Sequence, residues 1–292
     1  MSRVAATLSL VKFSHSVFAL PFALMGAWLA AGGPPPLVTL GWIVLCAVTA
    51  RTAAMAFNRL VDRDIDAANP RTAGRELPSG TLAVGYARGL VIVSAGIFVA
   101  GAFALNELAG WLSPAVLGVL LGYSYVKRFS VAVHLVLGVA LGLAPLGAWI
   151  AVRGDFSGDL IPVLLLFCTV WTWVAGFDLI YACQDAEYDA GRGLHSIPAK
   201  LGVGGALRLS RLLHVLTALS LALLAWRADT GLVFWISCAA AVALLCWEQS
   251  LVREDDLSRV DVAFFTINGW VGVALFLGLA LDMALRSGDA VV

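Results

Sequence analysis

The sequence predicts an all-α, polytopic membrane protein of about nine transmembrane helices around a central cavity, on three observations. Hydrophobic residues fill 61% of the 292 positions and charged residues only 13%, against roughly 45–50% and 25% in soluble globular chains. Mean hydropathy is +0.91. Apolar runs of the length needed to cross about 30 Å of hydrocarbon recur along the whole chain.

The runs fall near 14–32, 37–58, 85–106, 109–126, 131–152, 159–181, 203–226, 231–249 and 262–284. The first is not a cleaved signal, because its apolar stretch is long, lacks a small-residue cleavage site and is followed by further spans. The second runs into the polar loop 59–84, the fourth closes at Lys127 and Arg128, and the sixth, carrying WTWVAGFD, runs into the polar loop 182–202. The other connections are short. The whole is read as a single domain over 1–292, with its motif loops at 58–84 and 178–202.

Charge sets the orientation. The N-terminus and the loops after spans 2, 4, 6 and 8 hold most of the Lys and Arg, whereas the opposite side holds Arg153, Arg227 and Arg286. The positive-inside tendency then puts both long loops in the cytoplasm, which predicts an integral cell (inner) membrane protein. Balanced totals of 19 basic and 19 acidic residues offer no excess charge for a phosphate backbone, so nucleic acid is not an expected partner. Cys46, Cys168, Cys183, Cys238 and Cys246 contain no CxxC spacing and read as packing residues rather than zinc ligands or a disulfide framework. The two long loops share acidic helix ends followed by Gly, Arg and Pro, a similarity that either duplication or common turn chemistry would produce.

Chemistry concentrates in two segments. In NRLVDRDID, Asn58, Asp62 and Asp66 are spaced i, i+4, i+8, which on a continuous helix is one face of oxygen donors. In DLIYACQDAEYD, Asp178, Tyr181, Asp185 and Asp189 return to nearly one direction in the same way. Carboxylate and amide oxygens are what Mg²⁺ accepts, with water and phosphate completing its octahedron. Asp64 and Glu187 point off these faces and read as solvated. Asp178 lies deeper, among aromatic residues, where an ionisable group is costly and marks function.

Basic residues complete the pattern. Arg71 and Arg75 follow the first acidic segment, Lys127 and Arg128 close span 4, and Arg192 and Lys200 follow the second; such groups hold diphosphate, although positive-inside topology accounts for each taken singly. Arg51 lies inside span 2, where a charge needs an acid or an anionic substrate. His195 and His15 read as loop or interfacial residues, with contact to substrate as the alternative, and His134 and His214 as interfacial or packing residues. Gly202, Gly204 and Gly205 lack a preceding strand and a GKS/T sequence, so they read as a loop and helix start.

With NxxxDxxxD at the end of span 2 and DxxYxxxD, plus a further Asp, at the end of span 6, the chain resembles the UbiA superfamily of intramembrane aromatic prenyltransferases over essentially its whole length. The resemblance implies that Asn58, Asp62, Asp66, Asp185 and Asp189 are Mg²⁺-diphosphate ligands. It implies that Arg51, Arg71, Lys127, Arg128 and Lys200 bind the substrate diphosphate, and that Asp178, Tyr181 and Asp66 act at the reacting centre. Arg59 stands where many members carry Asp, and VKFSHSVFALPFALMG lacks the Lys-Pro-x-Gly of the 4-hydroxybenzoate branch.

The implied reaction is Mg²⁺-dependent transfer of a polyprenyl group from an allylic diphosphate to an aromatic acid or quinone precursor, either 4-hydroxybenzoate or a naphthoate on the way to menaquinone. Metal and cations would neutralise the leaving diphosphate. A pocket walled by residues such as Trp171, Trp173, Phe167 and Phe177 would keep water from the allylic cation. A lateral opening to the lipid bilayer would admit the isoprenoid tail. An ion-coupled transporter is the alternative of another class, since intramembrane carboxylates also build ion pathways.

Overall fold

The computed structural model describes residues 2–12 and 19–289. Among them the chain is helical without strands: α1 (Arg3–Leu10), α2 (Leu20–Ala31), α3 (Leu37–Val61), α4 (Arg63–Ala68), α5 (Val84–Leu105), α6 (Glu107–Val126), α7 (Val133–Arg153), α8 (Ile161–Ala182), α9 (Ala186–Gly191), α10 (Ile197–Arg227), α11 (Leu232–Leu251) and α12 (Asn268–Asp289). A single 3-10 turn, Cys183–Asp185, joins α8 to α9, and a π turn, Val262–Ile267, leads into α12.

Eight of the described helices are long and apolar enough to cross a membrane, and they coincide with the second to ninth predicted runs. The first predicted run, 14–32, is helical over Leu20–Ala31, 12 residues, or roughly 18 Å of rise, short of the hydrocarbon thickness. Residues 13–18 of that run, and with them His15, lie outside the described residues. Its far end is fixed locally, because Gly32 takes the left-handed conformation at φ 70° that favours glycine over other residues, and Pro34 to Pro36 follow.

Helix α8 is the axis of the bundle, packed between α7 and α10. Its side chains from Thr169 to Ile180 are almost all buried, Trp173, Val174 and Leu179 at 0% exposure, so the span that carries the second motif is the one least open to lipid. Small residues let the neighbours close in: a Cβ on Gly26 of α2 would stand 2.3 Å from the Pro145 carbonyl oxygen of α7, the kind of backbone approach that membrane helices use when hydrophobic burial gives them no mutual drive. Around the outside, Leu37, Ile92, Trp111, Trp226 and Leu232 are exposed, as an apolar solvent requires.

Both motif helices break where they leave the bundle, correcting the expectation of continuous acidic faces. α3 ends at Val61 and Asp62 takes φ −90°, ψ 3° before α4 begins. The cause is Arg128, whose Nη2 donates to the Val61 carbonyl at 2.8 Å and to Asp62 Oδ1 at 3.1 Å. In the second motif the α-helix gives way to the 3-10 turn ending at Asp185, and Asp185 is drawn to Arg71 instead of staying in register with Asp178. Farther on, α10 begins six residues before the predicted start of its span and passes through Gly202 at φ 71°, ψ 169°, a conformation open to glycine; the glycine cluster is thus a kink at a helix start.

Candidate active site

Four elements converge at one end of the bundle: the end of α3 with α4, the loop 69–83, the end of α6, and the end of α8 with α9. The first motif is held by cations from the α6 end. Lys127 Nζ stands 2.7 Å from Asp62 Oδ2, and Arg128 Nη2 3.1 Å from Asp62 Oδ1. Asn58 donates to Asp62 Oδ2 at 3.1 Å and to Ser124 Oγ at 3.4 Å, so Asn58 and Asp62 meet as their spacing predicts. Asp66, 4% exposed, has separate partners: Arg75 Nη1 donates to its Oδ1 at 2.7 Å, and Arg59 Nη1 lies 3.9 Å from Oδ2.

The second motif is held by loop 69–83. Arg71 pairs with Asp185 through both Nε, at 2.9 Å, and Nη2, while Nη1 donates to the Tyr181 hydroxyl at 3.0 Å. Asn69 Nδ2 adds a bond to Asp185 Oδ1 at 3.0 Å. Burial works against the Arg71 charge, but the hydrogen bonds and charge of Asp185 outweigh it and hold the guanidinium above its ordinary pKa. Two further bonds tie the halves together: the Tyr188 hydroxyl donates to the Ile65 carbonyl at 3.0 Å, and the His195 backbone N–H donates to the Lys127 carbonyl at 2.7 Å.

Deeper in the bundle, Asp178 Oδ2 lies 2.6 Å from His134 Nδ1. His134 is therefore the partner of a motif carboxylate, correcting the reading of it as a packing residue; burial of Asp178 among aromatic side chains demands such a partner. His214 is buried as expected, with Nδ1 3.0 Å from Gln249 Nε2. The Nε of Arg51, two turns before Asn58, is buried without a hydrogen-bond partner among the described residues. Asp189 is half-buried on α9, and Ser196 caps α10, while Lys200 lies exposed on the first turn of that helix and forms no ion pair among the described residues. His195 is exposed, and Trp173 and Phe177 are buried in a run of ring contacts that reaches Tyr181 through Phe264.

Sequence reading missed the partners of the motif residues. Asn69 bonds Asp185 across 116 positions, Ser124 bonds Asn58 across 66 and His134 bonds Asp178 across 44, separations that only a fold closes, while Arg59 pairs with Asp66 on the next turns of the same segment; a histidine in an apolar run was the one available signal for His134.

The donor chemistry fits Mg²⁺. Asn58, Asp62, Asp66, Asp185 and Asp189 offer only oxygen ligands apart from amide nitrogen, and Asp66 Oδ2 is buried with no hydrogen bond among the described residues. Among the described residues no three acidic, His or Cys side chains already converge on a metal position, because Asp62, Asp66 and Asp185 are each charge-paired with Lys or Arg. Carboxylates and cations in alternation can take up a metal on one set and a polyanion on the other without a net change in the charge buried between them.

The sequence pattern of the UbiA prenyltransferase family matches residues 19–270. A 4-hydroxybenzoate octaprenyltransferase of Pseudomonas aeruginosa is 33% identical over 267 residues, covering 90% of this chain and 87% of the relative. One from Albidiferax ferrireducens is 31% identical over 291 residues, 98% of this chain and 96% of the relative. The apo structure of a UbiA homolog from Aeropyrum pernix superposes with a TM-score of 0.84 at 36% identity, covering 92% of this chain and 98% of that one. A UbiA homolog from Archaeoglobus fulgidus bound to DMAPP and Mg²⁺ shares the fold at a TM-score of 0.75, with 18% identity over 95% of this chain and 99% of that one. With the family pattern running through both acidic motifs, and relatives above 30% identity along nearly its whole length, this integral membrane protein belongs to the UbiA prenyltransferase family and is a prenyltransferase.

Proposed function

We propose that the protein transfers a polyprenyl group from an allylic diphosphate to a ring carbon of 4-hydroxybenzoate or a related quinone precursor, on the cytoplasmic side of the membrane and with Mg²⁺. The observation that carries this reading is the alternation of charge across the two motifs, Asp62 with Lys127 and Arg128, and Asp185 with Arg71. The names of its relatives, 4-hydroxybenzoate octaprenyltransferases, support the acceptor and the long prenyl donor. The basic loops support the cytoplasmic orientation.

Asn58, Asp62, Asp66, Asp185 and Asp189 are the side chains that would hold the metal. When bound, Mg²⁺ neutralises charge on the departing diphosphate oxygens. Arg71, Lys127 and Arg128 exchange a carboxylate for a diphosphate oxygen and oppose the charge that develops as the carbon–oxygen bond breaks; Lys200, exposed on the first turn of α10, adds to their field. Arg51, whose buried Nε has no hydrogen-bond partner among the described residues, is available to an anionic group of either substrate. The rings of Phe177, Phe264 and Tyr181 exclude water and stabilise positive charge by about 0.5–2 kcal/mol each where their faces are presented. Asp178 takes the proton that the ring carbon loses when the new carbon–carbon bond forms, with its Oδ2 steadied by His134 Nδ1.

The test is product identity. Purified protein with Mg²⁺, a set of prenyl diphosphates and a panel of aromatic acids is expected to give prenylated 4-hydroxybenzoate by mass; prenylation of a naphthoate alone would move the reading to the menaquinone branch, and no carbon–carbon product with any acceptor would overturn it.

A further inference from the structure

Helices α11 and α12 carry a polar cluster inside the bundle that the acidic motifs do not use. Glu248 and Asn268 are both at 0% exposure, where a polar group is costly unless it is hydrogen-bonded. Asn268 is bonded on every side. Its Nδ2 reaches Glu248 Oε1 at 2.8 Å, the Ala263 carbonyl at 3.0 Å and the Phe264 carbonyl at 3.3 Å, and its Oδ1 accepts from Trp173 Nε1 at 2.7 Å. Ala263 and Phe264 belong to the π turn Val262–Ile267. Such turns are rare and recur at functional sites, and this one has a side chain bonded to two of its carbonyls.

The consequence lies in where the turn puts Phe264. Its ring centroid is 4.3 Å from that of Tyr181 and 5.2 Å from that of Phe177, and Phe177 is 5.0 Å from Trp173. A line of rings thus runs from the Asn268 anchor to the motif tyrosine, whose hydroxyl accepts from Arg71. Because a π turn holds one residue more than an α turn, its collapse to α register would rotate the residues before it by about 100°. Phe264 would leave the Tyr181 ring.

We propose that Asn268, held by Glu248, is a positioning residue: it fixes the π turn that seats Phe264 against Tyr181, and thereby sets the hydroxyl that meets Arg71. The inference rests on the prenyl-transfer reading, in which Tyr181 and Arg71 face the reacting substrates.

The experiment uses full-length protein in lipid nanodiscs and reads prenyl-transfer kinetics together with hydrogen–deuterium exchange. Asn268→Leu and Phe264→Ala are each expected to lower kcat about tenfold or more, as misplacement near a reacting centre does, with KM for the prenyl diphosphate within about twofold. Their double variant should be little worse than either, since both act through one contact. Glu248→Leu should show the same split, and Glu248→Gln, which keeps an acceptor for Asn268, should recover at least half of the turnover. Exchange in Asn268→Leu should rise in 262–267 and also in 179–188. Unchanged kcat, or exchange that rises in 262–267 alone, overturns the proposal. If Asn268→Leu does not fold, Phe264→Ala, which leaves the polar anchor in place, decides in the same way. If the wild-type protein forms no carbon–carbon product, the prenyl-transfer reading fails by itself, while the exchange pattern still decides whether the anchor orders the Tyr181 segment.

Discussion

Lys127 Nζ lies 2.7 Å from Asp62 Oδ2, across 65 positions of chain, so the residue that caps the C-terminus of α6 opposes the charge of the first acidic motif. The pair is one part of a lattice in which Arg128 also holds Asp62 and Arg71 holds Asp185. Each acid is thus set at a fixed place by a cation that is itself suited to diphosphate.

Removal of either acid tests the lattice. Asp62→Asn and Asp185→Asn are each expected to reduce product formation by about 10²–10³-fold, the range seen when one group opposing transition-state charge is lost. The double variant should be little worse, because the two act as a unit. Steady-state product formation, on protein whose folding is checked by size-exclusion profile, measures this; turnover near wild type in either variant counts against both motifs sharing one substrate.

Metal dependence follows from the oxygen donors. Chelation is expected to stop turnover, Mg²⁺ to restore it and Mn²⁺ to restore part of it. The check is an activity titration with chelator and add-back, in which full activity in excess chelator would remove the metal from the reading.

The Asp178–His134 pair should separate transfer from binding. Asp178→Asn is expected to lower product formation by about 10²-fold or more, within the usual range for a general base, while the affinity for prenyl diphosphate stays within a few fold. His134→Ala should fall in the same direction by a smaller factor, since it removes the 2.6 Å support of the carboxylate and leaves the carboxylate itself. Binding by titration and turnover by product mass, measured on the same preparations, distinguish the two effects; equal losses in both would assign Asp178 to diphosphate binding.

Topology is testable without activity. Single cysteines placed at Arg75 and at Lys200, both in or beside the motif loops, should be labelled from the cytoplasmic side by an impermeant reagent, and one at Gly154, in the connection after α7, from the other side. A cysteine-free background is required because Cys246 is exposed. Labelling of all three from one side would overturn the orientation.

Composition and periodicity determined the membrane class, the eight long spans and the position of both acidic motifs, because hydrophobic length and the spacing of donors on a helix are local properties. The Asn58–Asp62 meeting was legible for the same reason, one helical turn apart. Which cation holds which acid was not: Arg71 reaches Asp185 and Asn69 reaches it too, His134 reaches Asp178, and Arg128 takes the Val61 carbonyl and so ends α3. These are contacts between residues 44 or more positions apart, except Asp66 with Arg59 and Arg75, and a pairing of that kind is settled by which helices pack together, through close approaches such as Gly26 on Pro145. The π turn that carries Phe264 belongs with them, since an apolar run reads as plain helix until a buried partner such as Asn268 is seen to hold the extra residue in place.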